Sequence, residues 1–272
     1  GISIYLTTKQ IRVMILELQF TKIKATTNQL TNTMRVFKFG GASVKDAASV
    51  KNVGQILSQF KNEKIIVVIS AMGKMTNALE KVTKAYINKS ADLRDLINEV
   101  KEYHTTIINE LGFKPDHDVR GEVENSFTEI DWIIEDEPSR SFGFYYDQIV
   151  SQGELISTRI VSAYLNEIKI ENKWVDVRDF LQTDNTYREA KVNYELTEKL
   201  IGMRIPALFE KTNILITQGF IGATSENFTT TLGREGSDYT AAILSYCCGA
   251  TEMVVWKDVA GVMSADPKLS DD

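Results

Sequence analysis

The sequence of 272 residues predicts an α/β protein, a three-layer α/β/α sandwich with a mostly parallel sheet and a helical insertion in its first half. Three observations predict this class. A strand, a helix and a second strand follow one another within about 35 residues, which is the unit that builds parallel sheets. The second strand, residues 65–69, is continuously apolar, as expected of a strand buried on both faces. Residues 77–168 carry almost no strand pattern and therefore predict helices.

The predicted elements follow in a regular order from residue 35 onwards. Residues 35–39 predict the first strand, Gly40 and Gly41 a turn, and apolar residues at helical spacing a helix over 45–60. The predicted helices of the insertion are 77–88, 91–111, about 122–133 and 140–168. Strands are then predicted at 174–177, 214–217 and 253–256, with a helix over 238–248 before the last of them.

The first 33 residues differ in character from the rest. Residues 1–33 carry four basic residues against one acidic residue, a net charge of +3, and apolar residues alternate over 11–15 like one short strand. A targeting peptide has such a composition, and an N-terminal extension or upstream sequence before a start at Met34 is the alternative. We prefer the second interpretation and treat residues 34–272 as a single domain.

The net charge indicates which kinds of partner to expect, and the two cysteines indicate the cellular compartment. Lys and Arg number 31 against 37 Asp and Glu, a net charge of −6, so neither nucleic acid nor an anionic membrane surface is an expected partner. No apolar run reaches the roughly 18 residues that span a bilayer. Cys247 and Cys248 are adjacent, which rarely allows a relaxed disulfide, and this favours a reducing, cytoplasmic location.

Common nucleotide and metal motifs are absent from the sequence. Neither G-x-x-x-x-G-K-[ST] nor G-x-G-x-x-G occurs, and no H-E-x-x-H or cysteine cluster suggests zinc. What remains is a set of glycine-bearing turns after predicted strands, where open α/β sheets bind ligands. In the first turn, Gly40 and Gly41 allow the backbone to approach a ligand and Lys38 offers a cation to a phosphate. A tight turn with a solvated lysine is the alternative.

Two further candidates lie after the second strand and within the long helical stretch. Ser70 ends the strand, and Thr76 or Asn77 fits the N-cap of the next helix, so capping and ligand contact both stay open. Glu154 follows Gly153 inside a helical run, where glycine costs about 1 kcal/mol relative to alanine. That cost indicates close packing or a nearby ligand, although a surface glutamate is the simpler interpretation.

The turn before the last predicted helix carries an arginine next to glycine. Arg234 presents a guanidinium suited to a bidentate grip on a carboxylate. Ser237 fits the N-cap of the helix, and Asp238 in its first turn suits the helix dipole. Residues 256–268 are polar and follow the last strand, which predicts either a surface loop or a ligand-binding loop.

Taken together, these turns resemble the aspartate kinases of the amino-acid kinase superfamily. The matching segments, in the family's order between Met34 and the end of the chain, are KFGGASV (38–44), SAMGKMTN (70–77), SQGE (151–154), TLGREGSDYTAA (231–242) and WKDVAGVMSADP (256–267). The resemblance implies the amino-acid kinase type of fold and ATP-dependent phosphorylation of the β-carboxylate of L-aspartate to 4-phospho-L-aspartate, towards lysine, threonine and methionine. It also implies ATP and Mg²⁺ as cofactors, small-molecule substrates and a homo-oligomeric full-length protein.

The resemblance further implies roles for individual residues. Lys38 is expected to neutralise the transferring phosphoryl group, and Asp238 to organise lysines near the phosphates. Glu154 is expected to hold the ammonium of the substrate, and Arg234 its α-carboxylate. The implied substrate-binding residues are Ser70, Thr76, Glu154, Arg234 and Ser237. The implied nucleotide-binding residues are Lys38, Gly40, Gly41, Ser43, Lys257, Asp258, Gly261, Val262, Met263, Asp266 and Lys268.

The implied chemistry needs no general base. The nucleophile is a carboxylate with an ordinary pKa of about 3.9, so it is ionised at neutral pH. The two histidines of the chain, His104 and His117, agree with such a mechanism. Phosphoryl transfer depends on positioning and charge stabilisation, which lysine, backbone amides and Mg²⁺ on the phosphates supply. Because Mg²⁺ keeps waters and substrate oxygens as ligands, a dedicated protein cage is not expected.

Two alternatives keep the same fold. One is another amino-acid kinase that acts on glutamate, acetylglutamate or a nucleotide, although Glu154 with Arg234 favours a zwitterionic amino acid. The other is a non-catalytic sensor of amino acids or nucleotides, against which the presence of Lys38 and Asp238 argues.

Some features depart from the family pattern. Ala42 stands where threonine is frequent, and Glu235 where glycine is frequent. The family's kinase domain also continues beyond the position of Asp272, with further strands, another lysine motif and then paired regulatory domains. We therefore expect residues 34–272 to be a C-terminally truncated amino-acid kinase catalytic domain that is weakly active or inactive alone.

Overall fold

The structure, a computed structural model, describes residues 2–7 and 34–257. The alternating segment 11–15 of the sequence analysis lies outside these residues. So do most residues of the predicted nucleotide loop, namely Asp258, Gly261, Val262, Met263, Asp266 and Lys268.

A six-stranded sheet forms the centre of the described fold. Its strands, in chain order, are β1 (Ile2–Thr7), β2 (Met34–Phe39), β3 (Lys64–Ile69), β4 (Lys173–Trp174), β5 (Ile214–Gln218) and β8 (Glu252–Lys257). Across the sheet the order is β1-β8-β2-β3-β5-β4, and only β1, which runs antiparallel to β8, departs from parallel pairing. A separate hairpin consists of β6 (Ile221–Ala223) and β7 (Thr229–Thr231).

Helices cover both faces of the sheet. In chain order they are α1 (Ala47–Ser58), α2 (Met75–Ile87), α3 (Leu93–Glu110), α4 (Asp118–Glu135), α5 (Phe142–Val150), α6 (Gln152–Glu167), α7 (Tyr194–Leu208) and α8 (Gly236–Cys247). Short 3₁₀ helices occupy Gly41–Val44 and Val177–Asp179. The predicted helical insertion is the segment from α2 to α6, which lies between β3 and β4.

Alternate residues of the central strands belong to two apolar layers. Phe37, Val67 and Ile216 pack with α1 and the insertion, whereas their neighbours Val36 and Leu215 pack with α7 and α8. Successive side chains of a strand point to opposite faces, so a strand covered by helices on both sides must be apolar throughout. The predicted three-layer α/β/α sandwich with a mostly parallel sheet is confirmed.

Several elements differ from the sequence predictions. The helix predicted over 140–168 is two helices, because the hydroxyl of Ser151 donates to the carbonyl of Gln148 and competes with the backbone hydrogen bonds there. Helix α7 was not predicted, since Gly202 and Pro206 weaken its helical pattern. The hairpin of β6 and β7 was also missed, as its strands are only three residues long.

Two further features of the described residues concern membrane-spanning helices and the two cysteines. No helix among them combines the length and the apolar content that crossing a membrane requires. Cys247 and Cys248 are free thiols at the end of α8, and burial raises the pKa of both.

Candidate active site

A cleft of about 850 Å³ lies at the carboxyl ends of β2 and β3, facing the start of α8. Several residues predicted from the sequence line it together, although they are far apart in the chain: Lys38, Ser70, Thr76, Glu154, Arg234, Ser237 and Asp238. The parallel arrangement of β2, β3 and β5 brings these segments to one edge of the sheet.

Gly41 lets the turns that follow β2 and β3 touch. A Cβ atom at this position would lie 2.7 Å from the carbonyl oxygen of Ala71 and 2.8 Å from that of Gly73. The amide of Gly73 donates to the carbonyl of Gly41 at 3.0 Å, which joins the two turns. The glycine of the first turn is therefore required by contact between turns, whatever ligand the site takes.

Lys38 and Asp238 form an ion pair in the cleft. Lys38 is the penultimate residue of β2 and only 8% exposed, and Asp238 lies in the first turn of α8. The Lys38 Nζ and Asp238 Oδ1 atoms are 2.9 Å apart. A buried strand and a helix terminus thus hold an ammonium group at the cleft, and the neighbouring carboxylate limits where it can point.

Glu154 is a buried carboxylate with one unused oxygen. It lies in the first turn of α6, is 2% exposed and accepts a hydrogen bond from the amide of Ala71 at Oε1, 3.3 Å away. Its Oε2 atom has no hydrogen-bond partner among the described residues. Burial raises the pKa of Glu154 to about 8, an effect that the Ala71 hydrogen bond opposes. Such a group favours a cationic ligand.

Gly153 is explained by packing. A Cβ atom there would lie 3.1 Å from the side chains of both Ala71 and Leu79. The close contact brings α6 against the turn after β3, and it is what allows Glu154 to reach the Ala71 amide. Of the two explanations that the sequence left open for this glycine, close packing is therefore present.

The predicted N-cap of α8 is wrong by two residues. The helix begins at Gly236 and its N-cap is Glu235, which adopts a left-handed conformation with φ of +59°. Gly233, with φ of +78°, and a hydrogen bond from the Gly236 amide to the Gly233 carbonyl tighten the turn before the helix. Ser237 is thereby moved into the first helical turn, where it lines the cleft, and Arg234 projects from the turn as an exposed side chain.

The predicted N-cap of α2 is also wrong. The N-cap is Lys74, and no side chain makes a capping hydrogen bond there, so Thr76 and Asn77 fall inside the first turn. Thr76 lines the cleft together with Ser70, whose carbonyl accepts a hydrogen bond from the Ser157 hydroxyl at 2.8 Å. The alternative of ligand contact stays open for both hydroxyl groups.

Ser43 lies apart from the cleft. Its hydroxyl donates to the carbonyl of Trp256 at 3.4 Å, and it lines a smaller pocket beside the stacked rings of Phe39 and Trp256. Gly40 is adjacent to the cleft cation, since a Cβ atom there would be 3.5 Å from the Lys38 Nζ. Lys257 ends β8, and the rest of the predicted nucleotide loop lies outside the described residues.

One wall of the cleft consists of residues that were not predicted from the sequence. It is formed by Tyr146 of α5, by Phe220 and by the segment 186–189. Arg188 in that segment has φ of +74°, a conformation that non-glycine residues rarely adopt. The one sequence signal was the run of turn-forming residues at 184–186, which carries no indication of a ligand.

Asp147 holds this wall in place. It is fully buried and accepts hydrogen bonds from the Arg188 amide at 3.0 Å and 3.1 Å, from the Thr231 amide at 2.9 Å and from the Thr231 hydroxyl at 2.7 Å. Burial raises the pKa of Asp147 to about 6, although these hydrogen bonds act to lower it. Unlike Glu154, Asp147 has both oxygens occupied.

Curated relatives match most of the length of this chain. The amino acid kinase family model matches residues 33–272. The lysine-sensitive aspartokinase 3 of Escherichia coli is 31% identical over 235 residues, which are 86% of this chain and 51% of that protein. The chloroplastic aspartokinase 1 of Arabidopsis thaliana is 33% identical over 244 residues, 86% of this chain and 42% of that protein. The chain spans about half the length of the curated relatives it matches.

Solved structures agree with the sequence relatives. The crystal structure of E. coli aspartokinase III with lysine and aspartate has a TM-score of 0.78 and 31% identity, over 87% of this chain and 52% of that one. The same enzyme with aspartate and ADP gives a TM-score of 0.78 and 31% identity, over 86% of this chain and 51% of that one. With the family model matching most of the sequence and the fold matching in space, this chain belongs to the amino acid kinase family.

Proposed function

We propose that the protein transfers the γ-phosphoryl group of ATP to the β-carboxylate of L-aspartate and forms 4-phospho-L-aspartate. The observation that carries the proposal is a cleft that combines a buried carboxylate with a spare oxygen, Glu154, an ammonium group, Lys38, and an exposed guanidinium, Arg234. These groups complement the ammonium and the carboxylates of one small zwitterion. The names of the relatives support the same substrate.

The amino-acid end of the substrate is assigned to Glu154 and Arg234. An ammonium that donates to the free Oε2 of Glu154 compensates the charge of the ionised carboxylate, which otherwise has a single side-chain hydrogen bond, from Ala71. The Arg234 guanidinium offers paired donors to the α-carboxylate. Hydroxyl groups of Ser70, Thr76 and Ser237 supply neutral donors along the same cleft.

The phosphoryl end is assigned to Lys38 and Asp238. A β-carboxylate oxygen attacks the γ-phosphorus, the bond from phosphorus to the β,γ-bridging oxygen breaks, and ADP leaves with that electron pair. Both reactants are anions, so a cation fixed between them lowers the barrier more than a base would. The ion pair with Asp238 holds the Lys38 ammonium in one direction before the substrates arrive.

The nucleotide is assigned to the turn after β2 and to the segment after β8. Gly40, Gly41 and Ser43 are proposed ligands of phosphate oxygens, and the Ser43 hydroxyl would leave its long contact with the Trp256 carbonyl to take part. The remaining proposed nucleotide ligands are Lys257, Asp258, Gly261, Val262, Met263, Asp266 and Lys268.

Mg²⁺ is proposed to accompany ATP. Within residues 34–257, no group of three or more His, Cys, Asp or Glu side chains is arranged to hold a metal ion. Asp238 lines the cleft, and its carboxylate, which pairs with Lys38 through Oδ1, carries hard oxygen donors of the kind that Mg²⁺ prefers. Asp238 would hold such an ion together with phosphate oxygens and water. Such an ion neutralises phosphate charge.

An assay for acyl phosphate tests the proposal. Hydroxylamine traps the product as a hydroxamate, and L-aspartate, L-glutamate and N-acetyl-L-glutamate are compared in the presence of ATP. In the full-length protein we expect turnover with aspartate, a loss of about a hundredfold or more in kcat for Lys38→Ala, and a raised KM for aspartate in Glu154→Gln. Lys51→Ala, on α1 and outside the cleft, is the matched control and is expected to behave as wild type.

Other outcomes separate the alternatives. Turnover with glutamate or N-acetylglutamate in place of aspartate contradicts the substrate assignment. Aspartate binding measured by calorimetry, without any ATP-dependent product, favours a sensor over an enzyme. Unchanged kinetics in both cleft variants contradict the assignment of the site.

Several wider properties are part of the same proposal. Residues 34–272 would be the catalytic domain of a longer, cytoplasmic and homo-oligomeric protein, and residues 1–33 an extension of it. Its product would lead towards lysine, threonine and methionine. Each of these remains a prediction.

A further inference from the structure

The wall of the cleft that the sequence did not predict is held by one buried side chain. Asp147 lies near the end of α5 and is not among the residues that line the cleft. Its carboxylate accepts hydrogen bonds from two segments of the chain. One donor is the amide of Arg188, in the segment 186–189, and the others are the amide and hydroxyl of Thr231, at the end of β7. We call this group of hydrogen bonds the Asp147 clasp.

The first segment in the clasp presents a second guanidinium to the cleft. With its amide bound by Asp147, Arg188 is fixed in a left-handed backbone conformation that is unfavourable for an arginine. Its guanidinium carbon lies 4.8 Å from the ring centre of Tyr146 and 5.5 Å from that of Phe142. Contact with these two rings directs the side chain along α5, and both Arg188 and Tyr146 line the cleft.

The second segment in the clasp leads directly to Arg234. Thr231 is fully buried, and its carbonyl accepts a hydrogen bond from the Ala190 amide at 2.9 Å, so the two segments are also paired by their backbones. Two residues further on, a Cβ atom at Gly233 would lie 3.3 Å from the carbonyl oxygen of Arg188. The turn that carries Arg234 therefore rests on the segment that carries Arg188.

We propose that Asp147 is a positioning residue for substrate binding, because its carboxylate fixes the Arg188 and Arg234 turns as one unit at the wall of the cleft. Arg188 then serves with Arg234 as a specificity-determining cation for anionic groups of the substrates. Asp147 itself touches neither substrate. Its effect on aspartate kinetics rests on the proposed function, whereas its effect on the two turns does not.

The main test compares Asp147→Ala with a matched control. Ser162→Ala removes a different partly buried hydrogen bond, the one to Asn172 at 2.6 Å, and Ser162 does not line the cleft. We expect Asp147→Ala to raise the KM for aspartate about tenfold or more, with kcat within about threefold of wild type. Ser162→Ala is expected to leave both constants unchanged. Asp147→Ala constants that match those of Ser162→Ala would overturn the proposal.

A conservative variant adds a second readout. Asp147→Asn keeps one carbonyl oxygen for the two backbone amides, and its own amide can donate to the Thr231 hydroxyl. We therefore expect the KM of Asp147→Asn to lie much closer to the wild-type value than to the raised value of Asp147→Ala. A KM in Asp147→Asn as high as in Asp147→Ala contradicts positioning by hydrogen bonds.

Limited trypsin digestion tests the clasp without any substrate. Arg188 and Arg234 are both exposed, so the clasp rather than burial is expected to protect the peptide bonds that follow them. Mass spectrometry should show faster cleavage after both residues in Asp147→Ala than in wild type or Ser162→Ala, and equal rates would overturn the proposal. If wild type neither binds nor phosphorylates aspartate, the proposed function fails, and this digestion alone decides whether Asp147 holds the two turns.

Discussion

Glu154→Gln is expected to stabilise the free protein while it weakens the site. Burial raises the pKa of Glu154 from the ordinary 4.5 to about 8. Between these values the folded protein keeps a proton that the unfolded chain releases, so the free energy of unfolding falls as pH rises, by about 1.36 kcal/mol per unit. At pH 7 this effect lowers the free energy of unfolding of the wild-type protein by about 3 kcal/mol. Glutamine has the same shape but does not titrate, so Glu154→Gln is free of the effect.

Urea denaturation of both proteins without ligand, at several pH values from 5 to 8, measures this effect. The difference in unfolding free energy between Glu154→Gln and wild type should be small near pH 5 and should grow to several kcal/mol near pH 8. Glu124→Gln, at an exposed glutamate that pairs with Lys101, is the control and should follow the wild-type curve. Parallel curves for Glu154→Gln and wild type at all pH values would refute the reasoning.

The same carboxylate couples ligand binding to proton release. A substrate ammonium favours the ionised form of Glu154, so wild-type affinity for aspartate should rise with pH up to about 8. Calorimetry in buffers of different ionisation enthalpy should show a proton released on binding at pH 7, and no such release in Glu154→Gln.

Three further predictions concern stability and the turn geometry. Glu235→Gly should raise the unfolding free energy by about 1 kcal/mol in urea denaturation, because glycine adopts the left-handed conformation freely. Gly41→Ala should lower it by about 2 kcal/mol and reduce hydroxamate formation, since the new methyl group meets the carbonyls of Ala71 and Gly73. Burial lowers the pKa of His104 to about 4, so the unfolded chain binds a proton below about pH 6.5 that the folded protein does not. Wild type should therefore lose about 2–3 kcal/mol relative to His104→Leu between pH 6.5 and 4.5 in the same measurement.

The central sheet could be predicted because burial on both faces leaves an unmistakable pattern. Residues 65–69 are apolar without interruption, and the structure places that strand between two layers of helices. Shorter elements have no comparable signal. Strands β6 and β7 pair through three residues each, and α7 contains a glycine and a proline, so neither the period of two nor that of 3.6 is visible.

The residues of the cleft were predictable where glycine-bearing turns follow strands, and unpredictable where tertiary contact sets the backbone. Ser237 and Thr76 have the residue types of N-caps, yet neither is the N-cap of its helix. The N-cap of α8 is Glu235, in a left-handed conformation, and the N-cap of α2 is Lys74, which makes no side-chain capping hydrogen bond. Arg188 belongs to an irregular segment at the cleft, and its amide is bound by Asp147, a residue about 40 positions earlier in the chain.

Two buried carboxylates on consecutive helices show why sequence cannot separate a positioning group from a ligand-binding group. Asp147 and Glu154 both stand in apolar surroundings, but the chain fills both oxygens of Asp147 and only one of Glu154. Asp147→Ala leaves two donors of Thr231 buried without acceptors, each worth about 1–3 kcal/mol, so the unfolding free energy should fall by at least about 2 kcal/mol. Glu154→Gln should raise it at pH 7, because burial forces the folded protein to keep a proton on Glu154 that the unfolded chain releases, and glutamine has no such proton. Denaturation of the two variants side by side checks the contrast. If both variants changed the free energy of unfolding in the same direction, the number of hydrogen bonds that a buried carboxylate accepts would not distinguish a positioning group from a ligand-binding group.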